Sequence, residues 1–532
     1  MLKSLFVSAL SVVGLASAKQ VYSETDLDTY VWTPDENYGW TEFEDREVLT
    51  GHNLLNTKSW KGYTLNMTSQ KWLTEEDFSP DSDAKPLWWH YLVVIVPDDV
   101  KFERNASLWV TGGSVTSGFP DARDEDVFLA ATLAMETSSI MGCLFQIPNE
   151  HTTFSSDPIQ KSRNEDAIIA FTWDHYLKDP SQPEWLLRFP MVKATLRAMD
   201  AMTEFVNKKF PEESWQLDYY TVAGASKRGW TTWDVGAVDP ERVVAIVPIV
   251  LDAINFVDVE HHQWRSYGGW SWALVDYYEM NLMERFDSPN MVKLQEQVDP
   301  FFYKERLTMP KLVVNAVLDE FQQPDDTHYW WDQMPSPKHF IMTPNAEHSE
   351  ATGILEIVPA IGAWISYQLH AWTVPVFTWD ISEETGKITA TLDGEGEVHE
   401  AAMWYAYSCG NNPDGIKRRD FRIMHMDVPC ECGIGAEGYC INLKSFWTKV
   451  VLEPETNAEG QRVYTAQMEA PDDGRYVAFM IDIKYNEHKK RDLEGLPHDL
   501  PGRLEFTTEV SVWPNTFPYE DCSGVDCKGT LL

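Results

Sequence analysis

The chain has 532 residues, of which 13% are aromatic and 23 are tryptophan, so it can bury a large core and is long enough for two or more domains. Acidic residues outnumber basic ones 83 to 43, for a formal net charge of -40. A field of that sign repels phosphate backbones and anionic lipid surfaces, which argues against nucleic acid as a partner and marks the surplus as a solvated, solubilising surface.

Residues 1–18, MLKSLFVSALSVVGLASA, place Lys3 before an apolar run from Leu5 to Leu15 and small residues at Ala16 and Ala18. This is the pattern of a cleaved secretory signal peptide. The run is too short to span a bilayer, and no later stretch offers about 18 uninterrupted apolar residues. The mature protein is therefore expected to be secreted and extracellular, with no membrane span. In that pathway Asn66 and Asn105, each heading an Asn-x-Ser/Thr triplet, are candidate glycan acceptors.

From Lys19 to about Pro86 the sequence is polar and irregular, with candidate strands at Glu47 to Thr50 and Trp60 to Met67. Trp88 to Pro97, WWHYLVVIVP, is a largely apolar run suited to a buried strand. Ala106 to Val110 reads as another and opens into the glycine-rich TGGSVTSG, and Ile140 to Ile147 reads as a third, with Cys143 as a buried free thiol. After Pro190, apolar residues recur at helical spacing at Val192, Leu196, Met199, Met202 and Val206. There follow a strand at Tyr219 to Ala223, a helix from Lys227 to about Val238, and strands at Val243 to Leu251, Lys311 to Leu318 and His339 to Thr343. Apolar strands alternating with helices predict a mainly parallel sheet covered on both faces, an α/β domain over residues 19–373. Within it, residues 255–309 form an insertion rich in aromatics, among them Trp264, Trp270, Trp272 and Tyr277. A substrate lid and a packed helical subdomain are both open for it.

Residues 374–532 change to short alternating runs such as FTWDI, KITATL and YVAFMIDI, which predict a smaller β-sandwich-like module. Six of the seven cysteines lie there: Cys409, Cys430, Cys432, Cys440, Cys522 and Cys527. Export makes disulfides their expected fate, in a pairing that spacing does not give. A zinc site on Cys430, Cys432 and Cys440 is the rival.

TVAGASKRGW, Thr221 to Trp230, puts Ser226 where an apolar strand runs into a helix. Such an elbow holds a serine Oγ out of the sheet edge, with the helix N-terminus facing a developing oxyanion. Gly224 meets the small-residue requirement two positions earlier, whereas Arg228 replaces the usual second glycine and Gly229 follows it. A serine needs a histidine to take its proton and a carboxylate to orient that histidine. The order serine, acid, histidine is that of an α/β-hydrolase. KLVVNAVLDEF supplies Asp319 directly after a strand, and HFIMTPNAEHSE supplies His348 after the next. Asp325 and Asp326 are fallback acids, and Glu320 is a weaker one. The backbone N–H of Lys227, with a second from Gly113 or Ser114, forms the expected oxyanion hole. Lys227 and Arg228 read as a helix-surface ion pair in preference to a site for an acidic substrate group. The chemistry needs no metal and no cofactor.

TPDENYGW, VTGGS, EDAIIAFTWDHYL, GASKRGWTTW, VVNAVLDEFQQPD and PNAEHS resemble the PhoPQ-activated pathogenicity-related protein family, from about Tyr30 into the C-terminal module. The resemblance implies an α/β-hydrolase with its serine at Ser226, its acid at Asp319 and its histidine at His348, and it makes Arg228 part of the family pattern. It leaves two functional classes. One is a secreted serine hydrolase whose partner is an ester or peptide substrate. The other is an extracellular signalling protein that restrains proliferation through a cell-surface receptor.

Overall fold

Strands read from apolar runs assemble as the central sheet of the protein, seen in a computed structural model that describes residues 22–532 except 44, 54, 395, 410–414, 427–429, 431, 437 and 487–502. The signal-peptide reading of residues 1–18 lies outside the described residues. The N-terminal segment contains a short helix, α1 (Asp26–Trp32), and the strands β1 (Gly39–Glu42), β2 (Leu49–His52), β3 (Ser59–Lys71) and β4 (Leu87–Pro97). Four antiparallel strands thus build one side of the sheet; β2, β3 and β4 fall on the candidate strands of the sequence reading, and β1 in what it read as irregular.

Beyond them run β5 (Asn105–Val110), β6 (Ile140–Leu144), β7 (Tyr219–Ala225), β8 (Val243–Ile249), β9 (Lys311–Ala316) and β10 (Lys338–Thr343), all mutually parallel. The ten strands lie in the order β1-β3-β4-β6-β5-β7-β8-β9-β10, with β2 on β3. Buried strand residues alternate between two layers: Tyr220, Val222 and Ile246 face one, and Ala223, Ala245 and Val247 face the other. The first layer is filled by α3 (Glu165–Lys178), α4 (Arg188–Lys209) and α5 (Lys227–Val238), and the second by α2 (Glu125–Thr137) and α9 (Ile354–Leu369). This is an α/β-hydrolase-like sheet with helices on both faces.

The insertion is helical: α6 (Phe256–Tyr267), α7 (Val275–Glu279) and α8 (Pro289–Val298). It packs on the same layer as α3 and α5, through Phe256, Leu274 and Met283.

The C-terminal residues form small antiparallel sheets. One has four strands, from β11 (Phe377–Ile381), β12 (Ile388–Leu392), β18 (Glu455–Thr456) and β19 (Arg462–Ala466). Another has five, from β13 (Val398–Tyr407), β17 (Thr448–Val451), β20 (Val477–Tyr485), β21 (Glu505–Thr507) and β22 (Ser511–Trp513). A third joins β14 (Met424–His425), β15 (Ile434–Ala436) and β16 (Tyr439–Ile441). Ala390, Tyr464, Phe479 and Ile481 share one buried cluster, as the inner faces of a sandwich do. The six cysteines pair as Cys409–Cys432, Cys430–Cys440 and Cys522–Cys527, which uses up the thiols of the rival zinc site. Cys143 on β6 is free and buried. Asn66 is exposed in the middle of β3, while Asn105 is half-buried at the start of β5.

After β22 the chain returns to the insertion and straps it. Trp270 donates its indole N–H to Cys527 O at 2.8 Å and its backbone N–H to Thr530 O at 2.9 Å. Leu532 N donates to Trp270 O at 2.8 Å, and Tyr278 Oη donates to Gly529 O at 3.2 Å.

Candidate active site

Ser226 sits at the junction of β7 and α5 with φ 58° and ψ −126°, a left-handed backbone that a non-glycine residue adopts only where its surroundings impose it. The imposition is visible in the glycines. A Cβ on Gly224 would meet Arg228 Cβ and Arg228 O at 2.9 Å. One on Gly229 would meet Ile249 O at 2.7 Å and Gly224 O at 3.2 Å. The second glycine is therefore needed one position later than the usual motif has it, where α5 crosses β8.

His348, in the loop after β10, places Nε2 2.8 Å from Ser226 Oγ and Nδ1 2.7 Å from Asp319 Oδ2. Asp319, in the loop after β9, is itself fixed by the backbone N–H groups of Phe321 at 2.7 Å and Gln322 at 3.2 Å. Burial opposes charge on the His348 ring, but the charge and hydrogen bond of Asp319 outweigh it and hold its pKa above the usual histidine value. Glu320 stands beside the pair and accepts from His348 N at 3.3 Å. Burial, then the charge of Asp319, pushes its carboxyl up to about 7.

The fallback acids are elsewhere. Asp326 lies 2.7 Å from His262 Nδ1, and Asp325 pairs with Arg419 and lies 3.5 Å from His262 Nε2. All four groups are buried, and they tie α6 to the loop after β9 and to the C-terminal chain.

Lys227, first residue of α5, has the unbonded backbone N–H expected of a helix start. The Gly112 loop lies beside this helix start, because a Cβ on Gly112 would run into the Arg228 guanidinium. Gly113 has φ 114° and open space where a Cβ would point, its nearest neighbours 4.0 Å away. The Ser114 hydroxyl donates to Glu150 O at 2.9 Å and lies 2.9 Å from Thr116 Oγ1.

The side chains of Lys227 and Arg228 correct the sequence reading: they pair with acids, but in the interior. Lys227 Nζ lies 2.7 Å from Glu165 and 3.0 Å from Asp166, and Arg228 makes a two-pronged contact with Glu165 at 2.8 and 2.5 Å. Burial disfavours the Glu165 carboxylate, yet Arg228 and Lys227 hold its pKa down at about 2. These cations are neutralised from α3. Reasoning along the chain missed Glu165 and Asp166; the signal was their place at the head of EDAIIAFTWDHYL.

A narrow cavity of about 60 Å³ opens on Ser226, His348 and Lys227. Its walls are aromatic, from Trp173 on α3, Trp230 on α5 and Phe256 and Tyr277 of the insertion. The insertion therefore roofs the cavity, and Glu260 on α6 contributes a carboxyl to it. That residue was not singled out in the sequence, because one acid on an amphipathic helix carries no local sign of its surroundings.

Residues 27–422 match the family described as PhoPQ-activated pathogenicity-related protein. The chain belongs to this family. Among curated relatives, Autocrine proliferation repressor protein A of Dictyostelium discoideum is 34% identical over 98% of this chain and 97% of its own. That alignment extends the likeness past residue 422, into the part of the chain that carries the disulfides from Cys430 onward. Among solved structures, acetyl xylan esterase 1 from Thermoanaerobacterium sp. is 14% identical, with a TM-score of 0.41 over 65% of this chain and 94% of that one. The acetyl xylan esterase from Paenibacillus sp. R4 is 12% identical, with a TM-score of 0.40 over 66% and 96%. Likeness at that level leaves the substrate of this PhoPQ-related protein open.

Proposed function

We propose that the protein is a secreted serine hydrolase that cleaves an ester or peptide bond through an acyl-enzyme. The observation that carries this reading is the continuous chain from Ser226 Oγ through the His348 ring to Asp319, at 2.8 and 2.7 Å. His348 takes the Ser226 proton as Oγ attacks the carbonyl, and Asp319 stabilises the imidazolium that forms. The Lys227 N–H, with a second from Gly113 or Ser114, holds the oxyanion. The imidazolium then gives its proton to the departing alcohol or amine, leaving Ser226 acylated. Water, deprotonated by His348, attacks the acyl carbon and restores the serine. Export is supported by the three disulfides, which persist in oxidising compartments.

A second reading is favoured by one observation, the 34% identity to a protein named for repressing proliferation. It makes the molecule an extracellular ligand for a cell-surface receptor, with the hydrolase fold serving as scaffold. Turnover of 4-nitrophenyl acetate and of a peptide panel separates the two. Catalysis predicts measurable hydrolysis that falls at least about 10³-fold in Ser226→Ala. Equal rates in the two proteins would leave the signalling reading in place.

A further inference from the structure

The candidate cavity holds a carboxyl that the triad does not use. Glu260 projects from α6 into the space that Ser226 and His348 also line. Its Oε2 is sealed from solvent and has no hydrogen-bond partner. Leaving a buried acceptor unpaired costs roughly 1–3 kcal/mol, and more when the group carries charge. Lys227, the cation bordering the cavity, is already paired with Glu165 and Asp166, and among the described residues Glu260 has no ion-pair partner.

The walls around Glu260 have a defined character. Trp173 stacks on Phe256 at 5.0 Å between centroids and meets Tyr277 at 5.5 Å and Trp230 at 5.9 Å. A ring face turned to an enclosed space is negative, and with a carboxyl among the rings the space suits an organic cation. A neutral hydroxyl would satisfy the lone oxygen without using the rings, and an anion would find no free cation, because Lys227 is already paired. The space is small. At about 60 Å³ it accepts roughly four or five water-sized groups, so the occupant is a short chain.

We propose that Glu260 is a specificity-determining residue and that the acyl group of the substrate ends in a protonated amine, held between the Glu260 carboxylate and the aromatic walls. The inference rests on the hydrolytic reading of the same site and names its substrate class. Burial, then the charge of Asp326, pushes the Glu260 carboxyl up to about 8 in the empty cavity, as expected for an acid that lacks its counter-charge. An entering ammonium supplies that charge, and the Glu260 carboxyl gives up its own proton to solvent as the ammonium–carboxylate pair forms.

The test compares isosteric 4-nitrophenyl esters, β-alanine with butyrate and glycine with propionate, in wild type and Glu260→Gln. Rates are divided by the uncatalysed hydrolysis of each ester, because an ammonium group activates its own carbonyl. The expected result is a kcat/KM at least tenfold higher for the amine-bearing member in wild type, with that preference falling at least tenfold in Glu260→Gln. Hydrolysis without an amine preference, or a preference that survives the substitution, overturns the proposal and leaves the hydrolase reading standing. Binding is read separately, by titrating tryptophan fluorescence with butylammonium and with 1-butanol. If no ester is turned over but butylammonium alone perturbs the fluorescence, and does so only with Glu260 present, the amine site stands and the hydrolase reading falls. No response to butylammonium overturns the amine site.

Discussion

Ser226 holds an unfavourable backbone, and the groups behind it decide what that strain achieves. His348 is useful as a base only when neutral, and Asp319 raises its pKa above the ordinary value of about 6.5. The sign follows: kcat/KM should be full at alkaline pH and be lost as pH falls through a midpoint above about 6.5. Asp319→Asn should lower that midpoint and cut kcat about 10⁴-fold, since the carboxylate that fixes the ring is gone. A pH–rate profile of both proteins checks this, and an unmoved midpoint would detach Asp319 from His348. These three residues were legible because each follows an apolar strand, in the order the chemistry requires. Glu260 and Glu165 were not, since their meaning comes from α3, α5 and α6 converging, which no local pattern encodes.

Among the elements, α3 matters most to the site after the β7–α5 elbow. It is buried on nearly every side from Ala167 to Leu177 and so shows no amphipathic stripe; α9 opens on exposed Ile354 and Leu355 and carries Pro359 inside it, which reads as a helix stop. Both escaped a reading based on period, whereas α4, with a clear 3.6-residue pattern, did not. The first residue of α3 is the counter-ion for two buried cations of α5. Glu165→Gln should therefore destabilise the fold by about 3 kcal/mol, because Arg228 loses its main charge partner inside the protein and Lys227 one of its two. Chemical denaturation of the purified variant measures it, and a change under about 0.5 kcal/mol, the level of an ordinary surface substitution, would contradict this assignment. The Cys430–Cys440 bridge ties β16 to the residue range before β15, in a sheet too small to hold itself. Cys430→Ser or Cys440→Ser should lower secreted yield sharply, and unchanged yield would show that the sheet stands without the bridge.

On the scale of the whole molecule, the α/β sheet and the C-terminal sheets share a core and do not meet as separate bodies. Phe506 packs 4.7 Å from the His339 ring, Met342 N donates to Thr507 Oγ1 at 2.9 Å, and Ile361 and Ile481 belong to one buried cluster. The change of pattern near residue 374 made the second unit legible, but alternation within single strands could not reveal that its inner face continues the first core. Residues 19–373 expressed alone should accordingly give no soluble product, while the full chain unfolds in one calorimetric transition; two separated transitions would contradict the shared core. The central claim is simpler still, that Ser226 is an activated nucleophile. Intact-mass analysis of the purified protein after exposure to a fluorophosphonate probe tests it most directly. The account predicts one covalent adduct on wild type, none on Ser226→Ala and much slower labelling of His348→Ala. A folded wild type that takes up no adduct, or an adduct that persists in Ser226→Ala, would contradict it.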